Sequence, residues 1–300
     1  MVYSLYNQIQ RQDDLKTMVH ELLYVWDSNR IMYLCVVMVL MAVNWTLEAV
    51  KWRMLLKNTE RFTLWESLQS VLTGVAVSMI TPNRIGEYVG RILYLKNVHK
   101  LQGITVTIVG SFAQLMITAY LGLVGLVYYL TYVLQNTWLY ILLIASVGLC
   151  IVLTWLYFHL GKVADKLEGI SLFKKIRIYI DVVKRFGKNQ LNWILIYSLL
   201  RYVVYSLQFF ILLRLMLVDV SMPAVLFTIW LIFWAMAIVP TIAIAELGIR
   251  GETALYFLSP LCINSLGVVS STVLLWIINL IIPALIGCLF VFKIKIYDDD

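Results

Sequence analysis

Charged side chains are scarce in this chain. Asp, Glu, Lys and Arg make up 14% of its 300 residues, and hydrophobic residues make up 62%. A soluble domain carries about 25% charge, so this balance excludes one and points to a polytopic membrane protein. Cysteine is sparse as well. Cys35, Cys150, Cys262 and Cys288 lie in apolar runs without a CxxC pair, which excludes a disulfide or zinc framework. His20, His99 and His159 are far apart in sequence, so no metal site is expected and no cofactor is called for. Walker A, GxSxG, HExxH and acidic DxD-type loop motifs are all missing. The closing Asp298-Asp299-Asp300 reads as a solvated tail, and Asn44-Trp45-Thr46 is discounted as a glycosylation sequon because it falls within a span. The largest polar stretch, Gly161–Gln190, is too short for a soluble catalytic domain. The expectation is therefore a transporter-like protein and not an enzyme. The formal charge of +7 falls in the loops, as suits an anionic leaflet and not nucleic acid.

What is present is a series of apolar segments: Ile31–Val50, Phe62–Ile80, Ile104–Val133, Trp138–Phe158, Leu191–Val218, Pro223–Val239 and Leu266–Phe292. Gly122, Gly125 and Pro283 are candidate bend points in the longer ones. No signal peptide is evident. The leader, 1–30, reads either as an interfacial amphipathic helix or as a polar extension. Residues 293–300 read as a tail.

The positive-inside rule orients the segments. Lys51, Arg53, Lys57 and Arg61 mark the first loop as cytoplasmic. The 159–190 loop, with eight basic residues from Lys162 to Lys188, and the C-terminus with Lys293 and Lys295 follow the same rule. Arg84, Arg91, Lys96 and Lys100 break it if Phe62–Ile80 crosses fully. A re-entrant hairpin that turns at Pro82 and returns along Ile85–Leu95 removes the conflict, because proline interrupts the helical ladder. Pro223–Val239 and Glu246–Leu258 form a second hairpin about Pro240 by the same reasoning. The expected fold is all-α, a polytopic helical bundle of about five full spans plus two re-entrant hairpins; seven simple spans are the alternative. The single transmembrane domain, 31–292, then divides into half-repeats 31–133 and 191–292 of opposite direction, linked by span 138–158 and the cytoplasmic loop 159–190. Pro82 and Pro240 are 158 residues apart and Glu87 and Glu246 are 159 apart, in keeping with such an inverted repeat.

Each hairpin carries charge next to its proline, and charge at bilayer depth costs about 2.5–3.5 kcal/mol on insertion scales. In the first, Arg84, Glu87 and Arg91 stand together, with Glu87 and Arg91 spaced i,i+4 on one helix face. In the second, Glu246 and Arg250 repeat that spacing, and Glu252 follows. Arg201, with Tyr202 and Tyr205 beside it, interrupts the fifth segment. These seven residues, Arg84, Glu87, Arg91, Arg201, Glu246, Arg250 and Glu252, are the candidate headgroup site, since guanidinium forks suit phosphate oxygens. Pro82, Gly86, Pro240, Gly248 and Gly251 are the candidate hairpin tips or hinges. Glu48, Lys51 and Arg53 read as an interfacial anchor, with Glu48 and Lys51 spaced i,i+3 and with Trp45 and Trp52 as belt residues.

At these residues the chain resembles the lysylphosphatidylglycerol synthase transmembrane, flippase-like family. Thr81-Pro82-Asn83-Arg84-Ile85-Gly86-Glu87 followed by Arg91 is similar to its Thr-Pro-x-x-x-Gly-Glu motif. Pro240 to Glu252 is similar to its second motif, which ends Gly-Leu-Gly-x-Arg-Glu, and Trp52-Arg53 after the first span is similar too. In the second motif this chain has Glu246 where the family has a glycine, and Glu252 is displaced by one position. Large members add a soluble aminoacyl-transferase domain that these residues do not include. The resemblance implies the membrane half of the task, a flippase-like or scramblase-like transporter moving a phospholipid or another anionic or aminoacylated lipid between leaflets. The alternatives are an integral-membrane transferase acting on a lipid-linked substrate, with Glu246 or Glu252 as base, and a non-catalytic partner of an envelope-biosynthesis enzyme. A bacterial plasma membrane is the expected location.

Overall fold

In the computed structural model the residues described are 28–57, 59–81, 84–95, 100–134, 137–162, 182–239 and 243–297. Most of the leader, Pro82, Pro240, much of the 159–190 loop and residues 298–300 lie outside them. Among the described residues the chain is helical, without strands. In chain order the helices are α1 (Ser28–Leu56), α2 (Leu64–Ser78), α3 (Gly86–Ile92), α4 (Lys100–Tyr132), α5 (Thr137–Phe158), α6 (Lys188–Leu215), α7 (Met222–Ile238), α8 (Ala243–Leu258), α9 (Ser265–Trp276) and α10 (Ile282–Tyr297). A π-turn, Ile277–Ile281, joins the last two.

Five stretches are long and apolar enough to cross a membrane: Arg30–Leu56, Gln102–Tyr132, Thr137–Phe158, Lys188–Leu215 and the α9–α10 stretch Ser265–Phe292. The protein is a multi-pass helical bundle. The remaining helices are short. α2 has 15 residues and α3 has 7, giving rises of about 22 and 10 Å, against a hydrocarbon core of about 30 Å. α7 has 17 residues and α8 has 16. These four come as two sequential pairs, the pairs expected to form hairpins.

Local chemistry sets the ends of α2. Thr63 and Glu66 form a reciprocal capping box: the Glu66 amide donates to Thr63 Oγ1 at 3.2 Å, and the Thr63 amide donates to Glu66 Oε2 at 2.8 Å. After Ser78 the helix ends, and the chain re-enters with Arg84 in the left-handed region at φ 56°. The Gly86 amide, at the start of α3, is capped by Thr81 Oγ1 at 2.8 Å. α3 then runs antiparallel along α2, with Ser70 Oγ donating to the Arg91 carbonyl at 2.9 Å. A Cβ on Gly90 would lie 2.6 Å from Gly74 Cα, so the two backbones meet where neither residue has a side chain.

The helix interfaces come in matched pairs. α2 packs on α3, and α7 packs on α8; α1 and α6 lie against each other. α4 packs on α7, and α10 packs on α2, so the span after each short pair covers the entry helix of the other. α5 packs mainly on α4 and turns Trp138, Ile144 and Ile151 outward.

Several sequence expectations need correction. α4 continues as one helix through Gly122 and Gly125. They admit α7: a Cβ at Gly122 would meet Trp234 at 2.2 Å, and one at Gly125 would meet the Phe227 carbonyl at 2.4 Å. At Pro283 the ladder does change, because the ring has no N–H and crowds the carbonyl of Asn279; the π-turn just upstream absorbs the defect. Lys293 and Lys295 belong to α10 and not to a loose tail, since the helix continues to Tyr297. α1 begins at Ser28, inside the expected leader.

Candidate functional site

Arg201 lies near the middle of α6, 13 residues after its start and 14 before its end. At about 1.5 Å per residue, either end is about 20 Å away, too far for its side chain to reach water by snorkelling. It turns inward instead. Arg201 Nε donates to Asn44 Oδ1 at 3.1 Å, its Nη1 pairs with Glu48 of α1, and its guanidinium lies 5.6 Å from the Trp45 ring.

Glu48 is the centre of this group. It is 3% exposed and binds three cations from three helices: Lys51 at 2.7 Å, Arg91 at 2.7 Å, and Arg201. Arg91 also pairs with Glu87, one turn earlier on α3, and stacks 5.4 Å from the Trp52 ring. Here the anchor reading is overturned. Lys51 is 2% exposed and Trp52 is fully buried, because α2, α4 and α6 pack on α1, which sequence alone places at the interface there. Only Arg53 of that set is exposed. Asn44, far from being a sequon, is buried and also approaches Asn279 beside the π-turn, at 3.5 Å.

A second cluster joins the two short pairs. Arg84 Nη2, between α2 and α3, donates to both oxygens of Glu246 near the start of α8, at 2.9 and 2.7 Å. Arg250 Nε donates to Glu246 Oε1 at 2.9 Å, and its Nη1 meets the Tyr205 hydroxyl of α6 at 2.5 Å. Glu246 is buried and thus takes cations from both pairs.

The two clusters face one cavity of about 420 Å³. Glu48, Lys51, Arg84, Glu87, Arg201, Glu246 and Arg250 all line it, with Gln114 of α4 and Asn279 opposite. Arg91 stands behind, tying Glu48 to Glu87. The i,i+4 pairs expected from spacing, Glu87–Arg91 and Glu246–Arg250, and the i,i+3 pair Glu48–Lys51 all form. Six of the seven candidate residues are thereby brought together. Glu252 is half-buried on α8 and outside the cavity lining. Of the candidate tips, Gly86 packs tightly, since a Cβ there would lie 2.4 Å from the Val77 carbonyl. Gly248 and Gly251 sit within α8 and not at a tip, because the helix resumes at Ala243; a Cβ on Gly251 would meet nothing within 4 Å. Pro82 and Pro240 lie outside the described residues.

The site residues missed by sequence reasoning are Asn44, Glu48, Lys51, Gln114 and Asn279. The available signal was Asn44 and Glu48 at i,i+4, two polar residues on one face of an apolar helix.

No curated protein and no solved structure shows a significant match to this sequence. The family model described as the lysylphosphatidylglycerol synthase TM region matches residues 15–287, which takes in both charged clusters and all the spans but the end of the last. With that match over most of its length, the chain belongs to the lysylphosphatidylglycerol synthase transmembrane family.

Proposed function

We propose that the protein is a flippase-like or scramblase-like transporter that passes a lipid headgroup through the cavity while the acyl tails stay in the bilayer. The observation that carries this reading is a polar cavity at mid-span depth, walled by both short helix pairs and bridged by Arg84 and Glu246. Charge buried this far into spanning helices is costly unless it serves a polar pathway. Paired broken helices around a midplane site are a transporter arrangement, and the matched interfaces favour it here. A transferase would need a base, and Glu246 is the candidate base that lines the cavity. Glu246 has both oxygens occupied by arginines, which favours transport. In this reading the C-terminus is cytoplasmic, the membrane is a bacterial plasma membrane, and a partner enzyme supplies or uses the lipid.

The test is leaflet exchange of labelled phospholipids in liposomes containing the purified protein. Acceleration over protein-free liposomes is expected. No acceleration with any headgroup would reject the proposal.

A further inference from the structure

The charges at the cavity do not balance. Lys51, Arg91 and Arg201 with Glu48 and Glu87 form one ion-pair cluster, and Arg84 and Arg250 with Glu246 form the other, so each cluster on the cavity wall has one cation in excess. Two positive charges are left over. Two of the three carboxylates are also spent. Glu48 gives Oε1 to Arg91 and Oε2 to Lys51 and Arg201, and Glu246 gives both oxygens to Arg84 and Arg250, while Glu87 is held by Arg91 through one oxygen.

Trp45 and Trp276 line the cavity, and their buried indole N–H groups have no hydrogen-bond partner among the described residues, as is true of the Gln114 side-chain oxygen. Indole only donates, so the two tryptophans suit oxygen acceptors. Arg84 is the one cation of the set that is well exposed, its side chain being 39% accessible, and its bonds to Glu246 use only Nη2.

Resting on the reading of this cavity as a headgroup site, we propose that its ligand class is a lipid phosphate with uncompensated negative charge. A phosphomonoester dianion matches the two-charge excess, and a phosphodiester monoanion comes second. Zwitterionic and aminoacylated headgroups are disfavoured, because their ammonium groups would meet carboxylates already bound to arginine and a surrounding excess of positive charge.

The experiment measures thermal stability of the detergent-purified protein with dihexanoyl lipids, and leaflet exchange of the matching long-chain lipids in parallel. Dihexanoyl phosphatidic acid should raise the melting temperature most and phosphatidylglycerol less, with no shift from phosphatidylcholine or lysylphosphatidylglycerol. Arg84→Gln, which leaves Glu246 paired with Arg250, should weaken the phosphatidic acid effect about tenfold in midpoint concentration. An equal or larger shift with phosphatidylcholine or lysylphosphatidylglycerol overturns the proposal. A shift with inorganic phosphate as large as that with phosphatidic acid overturns it too, since the lipid would then be irrelevant. Selective shifts without any leaflet exchange would reject transport and keep the ligand class. Exchange without charge selectivity would do the reverse.

Discussion

Arg84 and Glu246 are 162 residues apart in sequence and bonded at 2.7 Å. In sequence, Arg84 follows Pro82 by two residues and Glu246 follows Pro240 by six, and each proline ends an apolar run. Their contact therefore reports that the two interruptions meet, and the site depends on both short pairs at once.

Proximity of these positions can be measured directly. With Cys35, Cys150, Cys262 and Cys288 replaced by alanine, Arg84→Cys combined with Glu246→Cys should give an internally cross-linked species with a short bis-maleimide. A control pairing Arg84→Cys with Gly148→Cys, on the outer helix α5, should give none. Equal reaction in both would disprove the meeting of the two pairs.

Glu48 holds three cations in a buried place. Glu48→Ala leaves them facing one another, and breaking a buried pair costs about 3–5 kcal/mol. The expected outcome is loss of the monodisperse peak in size-exclusion chromatography. Exposed Arg53→Ala should behave as the parent, within about 0.5 kcal/mol. Similar behaviour of the two variants would restore the interfacial-anchor reading.

The crossing of α2 and α3 needs residue 90 to lack a side chain. Gly90→Ala places a methyl 2.6 Å from Gly74 Cα, and overpacking of that kind costs about 1–3 kcal/mol. Gly148→Ala meets nothing within 4 Å on α5 and should be neutral or stabilising by about 0.5–1 kcal/mol. Thermal melts in detergent should order the variants accordingly, with Gly90→Ala lowest.

Arg250 uses its planar fork to hold Glu246 on one side and Tyr205 on the other. Arg250→Lys keeps the charge and loses that geometry, so leaflet exchange should slow about tenfold despite unchanged net charge. Arg250→Gln should slow it further. Full exchange by the lysine variant would mean that charge alone serves at this position.

The spans, the two short pairs and the i,i+4 ion pairs were all legible in the sequence, because each is written within about twenty consecutive residues. Hydropathy, proline placement and helical spacing are local signals. The Glu48 cluster was not legible. Its partners Arg91 and Arg201 are 43 and 153 residues away, and Glu48 near a run of Lys51, Trp52 and Arg53 looks like any span approaching water. What decides its burial is the packing of other helices over α1, which no pattern within α1 records. The same holds for Gly122 and Gly125. Their sequence shows flexibility, whereas their use is to admit Trp234 and the backbone of α7.

α10 closes on α2 so tightly that a Cβ at Gly287 would lie 2.0 Å from the Leu72 carbonyl. A ribosome makes Leu72 some two hundred residues before Gly287, at about 5–20 residues per second. Through that interval of synthesis the first short pair sits in the membrane without its cover, its arginines and glutamates lacking the shelter of the finished bundle. A chain cut short before α10 is therefore expected to leave that pair uncovered for good, since no other helix follows to take the place of Gly287 against Leu72.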